Sequence, residues 1–283
     1  MTLTFEGKAL RWRPVDGNPG VMEVVLHGEP ANEIGTVMLA ELETLASYLA
    51  DGADGARALV LSSELGAFCA GADLRELQAG MADALEAGAS QRALRGQVAS
   101  FITRVHEAFD RIDMAPLTTV AAVHGACLGG GFELALLCDV IVADKSARFG
   151  FPELRLGLVP GFGGIPRLTR DVGNAVARDL LFTGRSVRAT RMAELGVVSQ
   201  VVGRGQARDV ALRVAEQACR FDQEAFRSAK AFTKPLPSEA LARERETFLD
   251  LVTRPVVFEA LTDFVRRDGS DALPYLPAKG EGV

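Results

Sequence analysis

Three glycine-rich segments hold the residues whose types and spacing could do chemistry. The first is FCAGADL (68–74), the second HGACLGGGFE (124–133), and the third runs from GFPE (150–153) through GLVPGFGG (157–164). Glycine lets backbone N–H groups approach a ligand closely. The second segment releases such amides at the start of an apolar helix, where the unpaired N–H groups and the helix dipole favour developing negative charge. Glu133 stands in the first turn of that helix. Taken alone, it reads equally as an acid that complements the dipole or as a buried functional carboxyl, because Leu134, Ala135, Leu136 and Leu137 make the helix apolar nearly all round. Glu153 follows twenty residues later, behind Pro152, and alone reads as a solvated loop residue. Asp73 reads as the N-cap of a helix that begins at Leu74, and Asp139 as the residue that fixes a helix-to-strand turn.

Other chemistries fit less well. The glycines at 125, 129, 130 and 131 do not meet the G-x-G-x-x-G spacing of a dinucleotide fold, and no P-loop Lys-Ser/Thr follows. A Ser-His-Asp set is left open by spacing, but there is no G-x-S-x-G elbow. His27, His106 and His124 show no metal-ligand spacing and read as core or surface histidines. Cys69, Cys127, Cys138 and Cys219 form no C-x-x-C pair, so no metal site is expected. Cys69 and Cys138 lie in apolar runs, where a buried reduced thiol is the default.

The elements that must position these residues alternate. Residues 21–27 (VMEVVLH), 58–62 (ALVLS), 118–123 (TTVAAV) and 140–143 (VIVA) read as strands. Met38, Leu42, Leu45 and Leu49 fall on one face of a helix over 36–50. Residues 75–113 read as helical throughout, with Gly80, Gly88 and Gly96 as breaks. Strands alternating with helices predict an α/β fold. After about Val202 the strand signals stop. Ala207, Val210, Ala211, Val214 and Ala218 share a helical face, Pro235 and Pro237 interrupt, and helices follow over 238–251 and 255–267. The division expected is 1–205 for a core that carries the site and 206–283 for a helical region suited to packing or assembly. Residues 277–283 read as a frayed end.

The chain has 283 residues, 31 Lys and Arg against 37 Asp and Glu, and a net charge of −6. With 48% hydrophobic and 24% charged residues it has the composition of a globular protein, with ample core for one large domain or two modest ones. Net acidity without a basic run argues against nucleic acid or an anionic membrane as a partner. No apolar stretch reaches the ~20 residues of a membrane span, and residues 1–8 lack the basic-then-apolar pattern of a secretory signal. A cytoplasmic, reduced location is expected.

The ordered motifs resemble the crotonase, or enoyl-CoA hydratase/isomerase, superfamily. The similar text is FCAGADL (68–74), AAVHGACLGGGFELALLCDVIVAD (121–144), ARFGFPELRLGLVPGFGGIPRLTR (147–170) and FTGRSVRATRMAELGVVSQVV (182–202). Order, spacing and the helical tail agree over residues 20–268. The resemblance implies a spiral of ββα units forming two nearly perpendicular sheets, with a C-terminal helical region that builds a homotrimer, two trimers commonly stacking as a hexamer. It implies an acyl thioester substrate, usually of coenzyme A, and no permanently bound cofactor. The positions matching the two oxyanion-hole amides are Ala72 and Gly130. Such amides stabilise an enolate as it forms, each typically worth roughly 10²–10³ in rate.

Glutamate at both 133 and 153 is the pattern of the hydratases in that family. The resemblance turns Glu153 from loop residue to catalyst: two carboxyls that share a water can take a proton from it and deliver one to the α-carbon, and their repulsion should raise one pKa. It gives water activation to Glu133, and water positioning and proton relay to Glu153. The same groups serve dehydration. A double-bond isomerase, another enolate-forming crotonase such as a C–C hydrolase, and a non-catalytic binding scaffold are the alternatives. Ala70, Asp73, Leu74, Phe248 and Arg267 match positions that meet the thioester or its CoA, with Arg267 reaching phosphate from its own or a neighbouring subunit; a simple helix C-terminal role for Arg267 fits as well.

Three departures bear on specificity. Where the family carries Asn-Arg-Pro after its first strand, this chain has His27-Gly-Glu-Pro30-Ala-Asn, which replaces positive by negative character and leaves an acyl-carrier-protein thioester open beside CoA. The 60 residues from Asp73 to Glu133 exceed the usual span, with the excess in 77–104, where relatives line the acyl pocket. Gly-Gly-Ile-Pro166-Arg stands for the common Gly-Gly-Thr-Gln-Arg, and Phe162 should narrow the pocket beside Glu153.

Overall fold

The computed structural model describes residues 4–267. The chain opens with an antiparallel meander, β1 (Phe5–Glu6), β2 (Leu10–Val15) and β3 (Asn18–Leu26), followed by α1 (Thr36–Ala50) and β4 (Ala58–Ser63). Helices α2 (Leu74–Glu86) and α3 (Gln91–Asp113) lead to β5 (Thr118–Val123), β6 (Ala126–Leu128) and the short α4 (Gly130–Ala135). Next come β7 (Val140–Asp144), β8 (Arg148–Gly150), a 3-10 turn over Glu153–Leu156, α5 (Gly164–Thr183), β9 (Val187–Arg188), α6 (Ala189–Glu194) and β10 (Gln200–Val202). Four helices close the described chain: α7 (Ala207–Ala218), α8 (Gln223–Thr233), α9 (Ser238–Val252) and α10 (Pro255–Arg266).

Two sheets result. The larger has seven strands in the order β1-β2-β3-β4-β5-β7-β10, parallel from β3 onward, and the smaller has the order β6-β8-β9. β5 is buried along its whole length, which explains why TTVAAV shows no polar alternation: a parallel strand covered on both faces has no solvent side. One face packs on α7, whose Ala207, Ala211 and Ala215 let the helix lie close against Val21, Val60, Val120 and Val142. The other meets the main core, into which α1 sends Met38, Leu42, Leu45 and Leu49.

The four strands and the helix over Thr36–Ala50 lie where the pattern predicts them. Residues 75–113 are helical, but of the three glycines expected to break them only Gly88 does so, at φ +74° between α2 and α3. Gly80 and Gly96 stay inside helices, because propensity is a weak prior that tertiary packing overrides. The region expected to serve packing or assembly is also part of the fold's interior: α7 covers the sheet, and α9 packs on α3 and α5. The frayed end expected at 277–283 lies outside the described residues. No helix among the described residues is long and apolar enough to cross a membrane.

A buried charge cluster ties the tail to this frame. Asp113, at the end of α3, accepts from Arg167 Nε at 2.8 Å and Arg170 Nη1 at 2.9 Å, and Lys234 Nζ lies 2.9 Å from its other oxygen. Burial by itself would raise this carboxyl, yet Lys234, Arg167 and Arg170 together hold it down at about 2. Removing one member of such a cluster strands buried charge. Asp113→Asn is therefore expected to lower stability by about 3 kcal/mol in urea unfolding at pH 7. The folded carboxyl titrates below its unfolded range near ~3.9. Its contribution is thus complete above that range and fades as pH falls through about 2, so wild type and variant should converge in acid.

Candidate active site

The glycine segments converge on one small cavity of about 60 Å³. FCAGADL supplies Ala70, Gly71, Ala72 and Leu74 to its wall; the triple glycine supplies Gly129 and Gly130; Glu133, Glu153, Phe162 and Phe248 complete the functional lining. The two amides singled out from the sequence sit side by side. Ile34 N–H donates to Gly71 O and Asp73 N–H to Ile34 O, so the Ala72 amide between them faces the other way. Gly130 is the first residue of α4, where an amide has no intrahelical acceptor. A Cβ on Gly130 would stand 3.3 Å from Ala72 N and 2.8 Å from the Phe162 ring, so any side chain here would have to displace that ring. Gly129 turns the chain into α4 at φ +49°, and a Cβ there would lie 2.6 Å from Glu153 Oε1.

Both carboxyls open on this cavity. Glu133 is 1% exposed, and its Oε1 accepts from Phe162 N at 2.8 Å and Gly164 N at 2.7 Å. Burial raises its pKa to about 7, against the pull of those two amides and of the Arg167 charge. Glu153 begins the 3-10 turn after Pro152, and its Oε2 is buried without a hydrogen-bond partner among the described residues. Burial first, and the neighbouring Glu133 charge second, push its pKa well above the ordinary carboxyl range. The expected elevation is present, but desolvation rather than repulsion dominates it.

A third carboxyl, unforeseen from the sequence, completes the arrangement. Glu244 of α9 accepts from Gly163 N at 2.7 Å through Oε1 and from Ile165 N at 2.8 Å through Oε2. Four successive amides at the start of α5 thus alternate between Glu133 and Glu244. Pro166, third residue of the helix, has no N–H to lose there. The same loop is gripped by His106, whose Nε2 donates to Gly161 O at 2.8 Å, and by Arg167, whose Nη1 donates to Phe162 O at 3.1 Å. Burial holds the His106 imidazole near 4, hence neutral. Burial, followed by the charge of Glu133, also lifts Glu244 well above the usual carboxyl range. A signal for Glu244 does exist in the sequence: with Leu241 and Phe248 it shares an i, i+3, i+7 face, so an acid interrupts an apolar stripe.

The remaining sequence candidates divide. Asp73 caps α2, accepting from Glu76 N at 2.9 Å, and lines a larger apolar cleft next door. Phe248 and Phe162 line both hollows. Arg267, at the C-cap of α10, lines neither. Asp139 fixes its turn by accepting from Thr119 N and donating its own N–H to Thr119 Oγ1, each at 2.9 Å. Cys69 and Cys138 are buried free thiols, as expected. Among the described residues no group of three His, Cys, Asp or Glu side chains could hold a metal ion.

Comparison with known proteins places this geometry in context. The family model described as enoyl-CoA hydratase/isomerase matches residues 16–265. A probable enoyl-CoA hydratase of Rhizobium meliloti is 37% identical over 241 residues, covering 83% of this chain and 87% of that one. A probable enoyl-CoA hydratase of Mycobacterium bovis is 34% identical with the same coverage. Among solved structures, an enoyl-CoA hydratase/isomerase from Xanthobacter autotrophicus aligns with a TM-score of 0.79 at 27% identity, over 93% of this chain and 95% of that one.

The alternation of carboxyls along the α5 amides has a measurable consequence. Glu244→Ala leaves the Gly163 and Ile165 amides without acceptors, which should cost about 1–3 kcal/mol for each that stays buried. Glu244→Gln keeps one acceptor oxygen and should lose about half as much; equal stability of all three proteins in urea titrations would contradict the arrangement.

Proposed function

The chain belongs to the enoyl-CoA hydratase/isomerase family, and we propose that it adds water to the 2,3 double bond of an acyl thioester, or removes it in reverse. The observation that carries this reading is the meeting of two carboxyls and two inward amides on one cavity. The thioester oxygen sits between the amides of Ala72 and Gly130. Negative charge reaches that oxygen as hydroxide adds to C3, and fixed N–H groups stabilise it without reorganising. Glu133, whose pKa near 7 makes it half-ionised at neutral pH, takes the proton from water. Glu153 holds a proton more firmly, so it is the donor to C2 as the enolate collapses. The proton that Glu133 has taken then passes to Glu153 within the shared cavity, which restores both carboxyls and accounts for the atoms of one water: OH on C3, H on C2.

Glu153 Oε2, buried and unpartnered, supports the water-positioning role, since an orphaned acceptor beside a reactive centre is a place for a solvent molecule. A double-bond isomerase needs one competent carboxyl, so the pair favours hydration. The substrate is taken to be a CoA thioester, with Ala70, Asp73, Leu74 and Phe248 around the acyl and pantetheine portions; a carrier-protein thioester is the alternative presentation. Arg267 lines neither hollow and stands at the C-cap of α10, so it either complements that helix end or reaches phosphate in a neighbouring subunit. A homotrimer or a dimer of trimers is the assembly proposed, and the 91% exposed Phe232 of α8 supports a surface meant to be covered.

Loss of the conjugated enoyl-thioester absorbance upon mixing with enzyme tests the reading. Glu133→Gln and Glu153→Gln should each lower kcat by roughly 10²–10⁴ with KM little changed. Turnover that survives Glu153→Gln but not Glu133→Gln would favour isomerisation. The wild-type kcat/KM should rise as pH passes about 7, where Glu133 loses its proton, and decline only well above that, where Glu153 does.

A further inference from the structure

A larger cleft of about 190 Å³ adjoins the carboxyl cavity, and Ala72, Leu77, Phe162 and Phe248 face both. Its far wall is one face of α3, where Leu94, Val98, Phe101 and Ile102 recur at helical spacing, with Met81 of α2 opposite. The hollow exists because its two helices lean elsewhere: α2 packs chiefly on α10, and α3 on α1 and α9. Protein interiors are close-packed, so an apolar hollow beside a reactive centre has the form of a ligand site. Its acidic residues are already engaged. Asp73 caps α2, and the Glu76 carboxyl accepts from the Thr36 amide and hydroxyl. The cleft therefore offers a ligand a carbon surface, with Gln97 as a further polar residue among the described lining.

Resting on the hydratase reading, we infer that the preferred substrates are 2-enoyl thioesters with a bulky apolar group on C3, about the size of a pentyl chain or a phenyl ring, seated in this cleft. The route follows from the shared wall. With the thioester oxygen at Ala72 and Gly130 and C3 beside the carboxyls, the substituent on C3 leaves past Leu77 and Phe162 into the larger hollow. An apolar cavity of about 150 Å³ is enough to hold benzene. A methyl group would leave most of the cleft unfilled. Each buried methylene is worth about fourfold in binding, so filling the cleft should separate substrates strongly. The long 77–104 stretch builds this wall, which gives its extra length a purpose.

The test compares kcat/KM for crotonyl-, 2-octenoyl-, 2-dodecenoyl- and cinnamoyl-CoA. Octenoyl and cinnamoyl thioesters should each exceed crotonyl by about tenfold or more, with no comparable gain from octenoyl to dodecenoyl. Val98→Phe fills the cleft and should lower the octenoyl-to-crotonyl ratio about tenfold. Leu94→Ala enlarges it and should raise the dodecenoyl-to-octenoyl ratio, which keeps the test decisive if the bulkier variant does not fold. Crotonyl turnover equal to octenoyl, or variants that change every substrate by one factor, overturn the inference. Should none of these thioesters be hydrated, the hydratase reading fails separately, and calorimetry with the saturated octanoyl- and butyryl-CoA still decides the cleft: tighter octanoyl binding supports it and equal binding refutes it.

Discussion

The four amides from Phe162 to Ile165 are the constraint on which the site depends. A helix start must satisfy its first N–H groups, and here buried carboxyls from two distant helices do so by turns, Glu133 at the first and third, Glu244 at the second and fourth. The arrangement fixes Glu133 against the cavity and sets the Phe162 ring across it. It also explains how a carboxyl can be fully buried yet titrate near neutrality: burial opposes ionisation, and a helix N-terminus with Arg167 behind it opposes burial. His106 and Arg167 hold the carbonyl side of the same loop.

The glycines serve that constraint from the other side. Bare backbone at 129 and 130 allows α4 to begin within van der Waals reach of Ala72, Phe162 and the Glu153 carboxyl. Two amides and two acids thus share one small hollow, while the larger cleft beyond stays apolar. The polar cavity and the apolar cleft share the Phe162 and Leu77 side chains as a common wall. The sheet with its helices acts as the frame. The Asp113 cluster anchors α5 and Lys234, at the end of α8, to α3, so the tail that delivers Glu244 and Phe248 is tied to the same helix that walls the cleft.

Much of this was legible in the chain. Strand runs, the Thr36–Ala50 face, the Asp73 cap and the glycine-rich segments are local signals, and each segment carries its own geometry. Glu153 was legible only through resemblance, since nothing local distinguishes a loop acid from one enclosed by Gly129 and the Glu133 carboxyl. Glu244 was missed because its partners lie about eighty residues away in sequence, at Gly163 and Ile165. Gly80 and Gly96 were misjudged as breaks because helix propensity was weighed without the packing of α2 on α10 and α3 on α1. Phe162 was rightly placed beside Glu153, although its second role, as a wall of the apolar cleft, depends on where α3 runs.

The claim that twin carboxyls direct one water at a polarised thioester is tested most directly by isotopes. Reaction of an enoyl thioester in water enriched in ¹⁸O and deuterium should give a product with one ¹⁸O at C3 and one deuterium at C2, read by mass spectrometry. Deuterium incorporation with a shifted double bond and no ¹⁸O on carbon would contradict it.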